Sequence, residues 1–361
     1  AKCLAAGIPA KVIKENIAKN LGIIDLLLLS SGFENRSKEL SNFLIKSKIK
    51  NSIIFHLDDN YHLANKNRDE IVSKLSIKDI VEYPKNDSYS TYNILFACIT
   101  KKIENIGKNK IKVVVDVTAF SREILLMLIK VLTNEIFQSK IELNLVHSPV
   151  DNYCENDTLW LTKGVREIRP VFGYSGLMTP SKKLLLIVLN GFEDERTETI
   201  IDSFEPNALI LGNPSLKGSI NSNLKTLVDD KYSKIKSKFL GILKKEIEFS
   251  CIDIQPTIDI LLKVNEEFKD EYNIVISPLN NKTSTVAVAI TAILQDDIQV
   301  SYASANQYNI IKQLSPTNYF LLYDVTSYLS TETKAKSVSK NKTTRSLPNS
   351  LSSTKSRLKT K

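Results

Sequence analysis

Two short stretches of this 361-residue chain pair a glycine, a phenylalanine and a glutamate with an arginine. The first is Gly32-Phe33-Glu34 with Arg36, and the second is Gly191-Phe192-Glu193 with Arg196. Each follows an unbroken apolar run, at 26–29 and 184–189. A glycine at such a place permits a sharp turn or lets a ligand approach the backbone. The free N–H groups of a helix's first turn, joined by a guanidinium, hold an anion such as a phosphate or carboxylate. The same residues also admit a structural reading. Ser31 to Glu34 and Asn190 to Glu193 fit capping boxes, with Phe33 and Phe192 as packing residues. Capping accounts for the glycine and the glutamate, but requires neither Phe nor Arg in both copies.

A second pair of loops runs from Asp116 to Arg122 and from Ser277 to Thr283. Each puts one base, Arg122 or Lys282, at the start of an apolar helix. Thr118, Ser121, Thr283 and Ser284 either cap those helices or bind phosphate. The candidate ligand-binding set in the first half is Gly32, Phe33, Glu34, Arg36, Thr118, Ser121 and Arg122. In the second half it is Gly191, Phe192, Glu193, Arg196, Asn280, Asn281, Lys282 and Thr283. No catalytic residue is assigned; an enzyme would pair Glu34 with His147, or Glu193 with Asp253. His56, Asp58, Asp59 and His62 cluster in sequence but read as a polar loop rather than a metal site. The chain contains neither a P-loop nor a Gly-x-Gly-x-x-Gly, which argues against ATPase and dinucleotide-oxidoreductase functions. The cysteines at 3, 98, 154 and 251 are scattered, so neither a metal cage nor a disulfide framework is expected. No cofactor is expected.

Strand and helix signals alternate on either side of these loops. In the first half, apolar runs near 23–31, 51–59, 79–84, 112–118 and 140–148 are separated by stretches of helical spacing. This is the pattern of a parallel sheet covered on both faces. The second half repeats it, with landmark offsets near 160 from Gly32 to Gly191, Arg36 to Arg196, Val113 to Ile274 and Ile141 to Ile298. The expected fold is therefore α/β, with two tandem Rossmann-like doubly wound parallel-sheet units related by internal duplication. The expected boundaries are a helical lead-in over 1–22, a first unit over 23–150, a linker over 151–182 and a second unit over 183–330. A disordered basic tail is expected over 331–361. In such sheets ligands bind beyond the carboxyl ends of the strands, where all four loops fall.

A Rossmann-like unit with polar loops after its first and fourth strands, the latter opening an apolar helix with a base, resembles the CRISPR-associated Rossmann-fold (CARF) sensor family. Asn280-Asn281-Lys282-Thr283 keeps the Asn, Lys and Thr of that family's Asn-x-Thr-Gly-Gly-Thr-Lys type of loop and lacks its glycines. Asp116 to Arg122 departs further, and no nuclease motif is present. The resemblance implies a pocket for a cyclic oligonucleotide or related ligand between two such units, in a prokaryotic defence system.

The net charge of +9 is concentrated in the tail. Residues 331–361 hold nine Lys or Arg against one acid, Glu332, so they carry +8 and the rest of the chain +1. A nearly neutral body is not an obvious phosphate-backbone surface. The tail, rich in Ser, Thr and Lys, buries too little apolar surface to offset its ordering entropy. Weak nucleic-acid contact through it is expected. No apolar run reaches the ~18 residues that span a membrane, and no signal peptide is apparent, so the expected location is cytoplasmic. The missing initiator Met fits a chain that starts inside a longer one. The expected function is sensing or binding of a nucleotide-like anionic ligand at the sheet edges, with a second copy or another protein as assembly partner. The alternatives are an enzyme acting on a nucleotide or phosphorylated small molecule at the same loops, and a non-catalytic scaffold.

Overall fold

A computed structural model of the chain describes residues 10–58, 62–84, 86–137, 139–151, 162–221, 225–310 and 314–329. The tail expected over 331–361 and the first nine residues lie outside the described residues. The first half begins with β1 (Ala10–Ile13), α1 (Ile17–Leu21), β2 (Leu26–Ser30) and α2 (Glu39–Phe43). It continues through β3 (Ser52–Asp58), α3 (His62–Leu75), β4 (Asp79–Pro84) and α4 (Ser88–Ile106). Then come β5 (Ile111–Asp116), α5 (Arg122–Leu132), β6 (Ile141–His147) and a long strand, β7 (Thr162–Ser175). The second half runs β8 (Lys183–Leu189), α6 (Asp194–Phe204), β9 (Ala208–Pro214), α7 (Lys225–Lys238) and β10 (Leu243–Phe249). It ends with α8 (Ile254–Phe268), β11 (Tyr272–Pro278), α9 (Lys282–Leu294), β12 (Gln299–Tyr308) and β13 (Tyr319–Asp324).

Two mostly parallel sheets result. The seven-stranded sheet has the order β1-β13-β6-β5-β2-β3-β4, and the six-stranded sheet β10-β9-β8-β11-β12-β7. Each therefore holds five parallel strands in the same order, with the first strand (β2 or β8) beside the fourth (β5 or β11). That junction is where strand order reverses and where crossover loops diverge to leave a crevice. The central strands are fully buried, as at Leu26–Leu29 and Leu185–Leu189, which is why they read as continuous apolar runs. α9 is buried from Thr283 to Leu294, and α5 nearly throughout. Helices that are apolar all round must be enclosed, and these two pack between the sheets within one continuous core.

The edges depart from the expected boundaries. Residues 162–175, placed in a linker, form β7, which pairs antiparallel with β12 of the second sheet. Residues 319–324, placed in the second unit, form β13, which pairs antiparallel with β6 of the first sheet. The described part of the lead-in contributes β1, which pairs with β13, a 3-10 turn over Lys14–Asn16 and the five-residue α1. Each fifth strand is thus covered by the strand that follows the fifth strand of the other unit. An uncovered fifth strand would leave a row of unpaired backbone groups, and the exchange pairs both fifth strands, leaving β7 and β1 as the edges on that side. Side chains tie each exchanged strand back to its own half. Tyr174 of β7 donates to the Leu126 carbonyl of α5 at 2.8 Å. Tyr323 of β13 lies 2.8 Å from Thr283 Oγ1 at the start of α9 and donates to the Ile252 carbonyl at 2.9 Å.

Candidate functional site

The crevice edges of the two sheets face each other across a cavity of about 360 Å³. Its walls come from all four loops foreseen in the sequence. Thirteen of the fifteen candidate residues line it; Arg196 and Thr283 do not.

The loops after β5 and β11 meet through a reciprocal contact. Arg122 of the first half donates from Nε to the Asn280 carbonyl at 2.8 Å and from Nη2 to the Leu279 carbonyl at 2.9 Å. Lys282 of the second half donates from Nζ to the Phe120 carbonyl. Each base opens its helix and reaches carbonyls of the opposite loop. The helix starts are capped locally: Ser121 accepts from the Ile124 N–H at 3.2 Å, and Asn281 from the Ser284 N–H at 3.0 Å. Capping thus falls to Ser121 and Asn281. Thr283 instead bonds Tyr323, and Thr118 Oγ1 accepts from the Ser148 N–H at 2.9 Å.

The two Gly-Phe-Glu loops differ. After Gly32 the chain makes a 3-10 turn over Asn35–Lys38, and Arg36 pairs through Nε with Glu34 while donating from Nη1 to the Ser148 carbonyl at 3.1 Å. After Gly191 it enters α6 directly. Arg196 there is 3% exposed, bonds Glu193 at 2.5 Å and Thr162 Oγ1 at 3.1 Å, and donates to the Ala303 carbonyl. Neither glutamate caps its helix through its side chain, so the capping-box reading does not describe these loops. Gly191 is required by close approach, since a Cβ there would sit 2.7 Å from the Leu279 carbonyl oxygen. At Gly32 the nearest atom would be Ala119 Cβ at 3.4 Å, an ordinary contact.

Five cationic side chains (Arg36, Arg122, Arg166, Arg169 and Lys282) and three carboxylates (Glu34, Glu123 and Glu193) line the cavity. Glu123 and Arg169 form a two-point pair at 2.8 Å. Burial first, then Arg122 and Arg36, push the Lys282 ammonium down to about 7. Burial also lowers Arg122, with Arg196 adding to the effect. Burial, with Arg36 and Lys282 nearby, holds His147 well below the usual imidazole range, so this ring is neutral. Its Nδ1, and the hydroxyl of Ser148 beside it, have no partner among the described residues. These shifts report an enclosed region of surplus positive potential.

Several lining residues were not foreseen. Arg166 and Arg169 sit on the exchanged β7, in a stretch whose charges and Pro170 masked an edge strand. Ser31 and His56 meet in the cavity wall, with Oγ and Nδ1 2.6 Å apart. Tyr302 and Tyr308 arrive from β12, and Tyr308 packs edge-on to Phe33 across the two halves, with centroids 6.1 Å apart. The expected catalytic pairings are not seen as bonds: Glu34 bonds Arg36, Glu193 bonds Arg196, and Asp253 caps α8 through the Gln255 N–H. No group of three or more His, Cys, Asp or Glu among the described residues is placed to hold a metal. No described helix is long and apolar enough to cross a membrane.

No known family model and no curated protein match the chain. Among solved structures it is similar to a Type III CRISPR defence DNA nuclease activated by cyclic oligoadenylate. That match has a TM-score of 0.45 and 9% identity, and it covers 77% of this chain and 65% of the nuclease. The likeness is too distant to carry a function.

Proposed function

We propose that this protein binds a nucleotide-like anionic ligand in the cavity between its two halves and acts as a sensor. The observation that carries the reading is the gathering of Arg36, Arg122, Arg166, Arg169 and Lys282 around one enclosed cavity, with Lys282 the most telling. An ammonium pushed down to about 7 by burial and by two neighbouring guanidiniums is costly to keep charged, and an anion in the cavity relieves that cost. The volume falls in the ~300–1,000 Å³ range of small-molecule sites. The surrounding donors and aromatic rings suit a phosphorylated heterocycle. A cyclic oligonucleotide, implied by the resemblance to CARF sensors, fits a cavity built from equivalent loops of two units, and a role in prokaryotic defence belongs to the same reading. An internal duplication accounts for the shared strand order. The scaffold reading does not explain why buried cations gather around an enclosed space.

One observation favours the enzyme reading: the hydroxyl–imidazole contact of Ser31 and His56. Among the described residues no carboxylate bonds that imidazole, so no complete nucleophile–base–acid relay is seen among them.

The test is calorimetry and thermal shift of the full chain against AMP, ATP and cyclic adenylates of two to six nucleotides. At a hundredfold excess over Kd, a ligand specific for the folded state stabilises it by about 2.7 kcal/mol. At least one of these compounds is expected to do so, and Lys282→Ala to abolish the effect. Absence of any shift across the panel rejects the proposal. Turnover of a bound compound that is lost in Ser31→Ala would move the reading to an enzyme.

A further inference from the structure

The two halves share loops and strand order, yet the cavity is not symmetric. On the first-half side it extends outward past β2 to β3, α3 and β4, where His56, Leu57, Ala64 and Tyr83 line it together with Ser31 and Phe120. Strand register identifies the counterparts in the second half. Ser30 pairs with Phe55 and Leu189 with Gly212, so His56 and Leu57 correspond to Asn213 and Pro214. Tyr83 pairs with Leu57 and Phe249 with Pro214, so Tyr83 corresponds to Phe249. None of Asn213, Pro214 and Phe249 lines the cavity. On that side the cavity reaches only Ile220 and Asn221 in the segment after β9, and the space beside β9 itself is filled. Phe249 is 1% exposed and lies, with Leu189, against Gly212, where an added Cβ would meet Leu189 at 2.8 Å and Phe249 at 3.2 Å. Asn213 is turned to Asp229 at 2.8 Å, and Asn190, the counterpart of Ser31, accepts from Thr197 at 2.7 Å.

We infer that the cavity takes its ligand in one orientation, with a single nucleobase seated in the first-half recess and its phosphate toward Lys282 and Arg122. The inference rests on the anionic-ligand reading above and adds to it. The recess has the chemistry of a base subsite. Tyr83, Phe120, Leu57 and Ala64 provide an apolar enclosure for a planar ring. Ser31 and His56, 3% exposed, bring a hydroxyl and an imidazole that can donate to or accept from a base edge. A two-fold symmetric ligand therefore meets two unlike ends, and only one of its bases is buried.

The experiment compares AMP with ribose 5-phosphate by titration calorimetry on the full chain, in wild type and in Ala64→Phe and His56→Leu. One AMP per chain is expected, bound roughly ten- to a hundredfold more tightly than ribose 5-phosphate, the scale of enclosing one base. Both substitutions should bring AMP to the level of ribose 5-phosphate and leave ribose 5-phosphate unchanged. Ala64→Phe fills the recess, and His56→Leu serves if that variant does not fold. Two AMP per chain, equal binding of AMP and ribose 5-phosphate, or AMP binding that survives a folded substitution overturns the single recess. Failure of AMP to bind while another compound of the adenylate panel does overturns the recess; failure of every compound, inorganic phosphate included, overturns the anionic-ligand reading itself.

Discussion

The two Gly-Phe-Glu loops look alike in sequence and do different work. In the first, Arg36 follows Glu34 by two residues, sits in a 3-10 turn and lines the cavity. In the second, Arg196 follows Glu193 by three, lies in α6 and turns away from the cavity into the exchanged edge. One added residue rotates a side chain by about 100° on a helix of 3.6 residues per turn. Together with the change from a 3-10 turn to α6, that offset places one guanidinium at the cavity wall and the other at the β7–β12 edge. The repeat therefore marks equivalent positions of the chain without marking equivalent roles.

The sharpest way to break this contrast is Arg196→Ala. It strands Glu193, whose side chain is 17% exposed, and should cost roughly 3–5 kcal/mol in denaturant unfolding. A loss below about 1 kcal/mol, the scale of a surface pair, would show that Arg196 is not a clasp. Glycine substitutions come next. Gly191→Ala forces a Cβ against the Leu279 carbonyl and should cost about 1–3 kcal/mol, as overpacking does. Gly32→Ala has ordinary space and should stay within about 0.5 kcal/mol. Equal effects in a pair of melts would remove the asymmetry. Arg36→Ala should lose roughly 1–3 kcal/mol of charged hydrogen bonding and weaken AMP binding by calorimetry. Unchanged AMP affinity in that variant would detach Arg36 from the ligand.

The last comparison is the titration of Lys282. Its folded value of about 7 lies below the ordinary 10.5. Between those values the unfolded chain binds the extra proton, so this group makes stability rise with pH across that window. Below about 7 the penalty of the buried charge is complete. Unfolding free energies between those limits should rise less steeply in Lys282→Met than in the parent. An anion raises the folded value again, so ligand binding near pH 8 should take up as much as about one proton, read from calorimetry in buffers of different ionisation enthalpy. Binding without proton uptake would place the anion away from Lys282.

Much of the architecture was legible because burial leaves a periodic trace. β2, β5, β8 and β11 are covered on both faces, and α5 and α9 are enclosed, so each appears as an apolar run of distinctive length. The four loops were legible because a parallel strand must end where its helix begins. The exchanged strands left a weaker trace. β7 alternates charged and half-buried residues, and its partner lies across the molecule, so no local pattern separates it from a linker. The contact between Ser31 and His56 was equally hidden, because they are 25 residues apart, one just past β2 and the other in the neighbouring β3, and no local pattern joins them.

The sequence by itself determined the α/β alternation, the two sets of five parallel strands and the four polar loops at their carboxyl ends. These follow from local periodicity and from the rule that buried backbone must be paired. Only the tertiary structure decided which strand closes which sheet, that Arg122 and Lys282 reach across to each other's loops, and that a recess opens beside β3 and β4 but not beside β9 and β10. The physical reason is that these features depend on distances between residues far apart in the chain. Whether a position becomes cavity or core is decided by the side chains around it: Phe249 and Leu189 fill the space around Gly212, whereas His56, Leu57 and Tyr83 line an open recess in the other half.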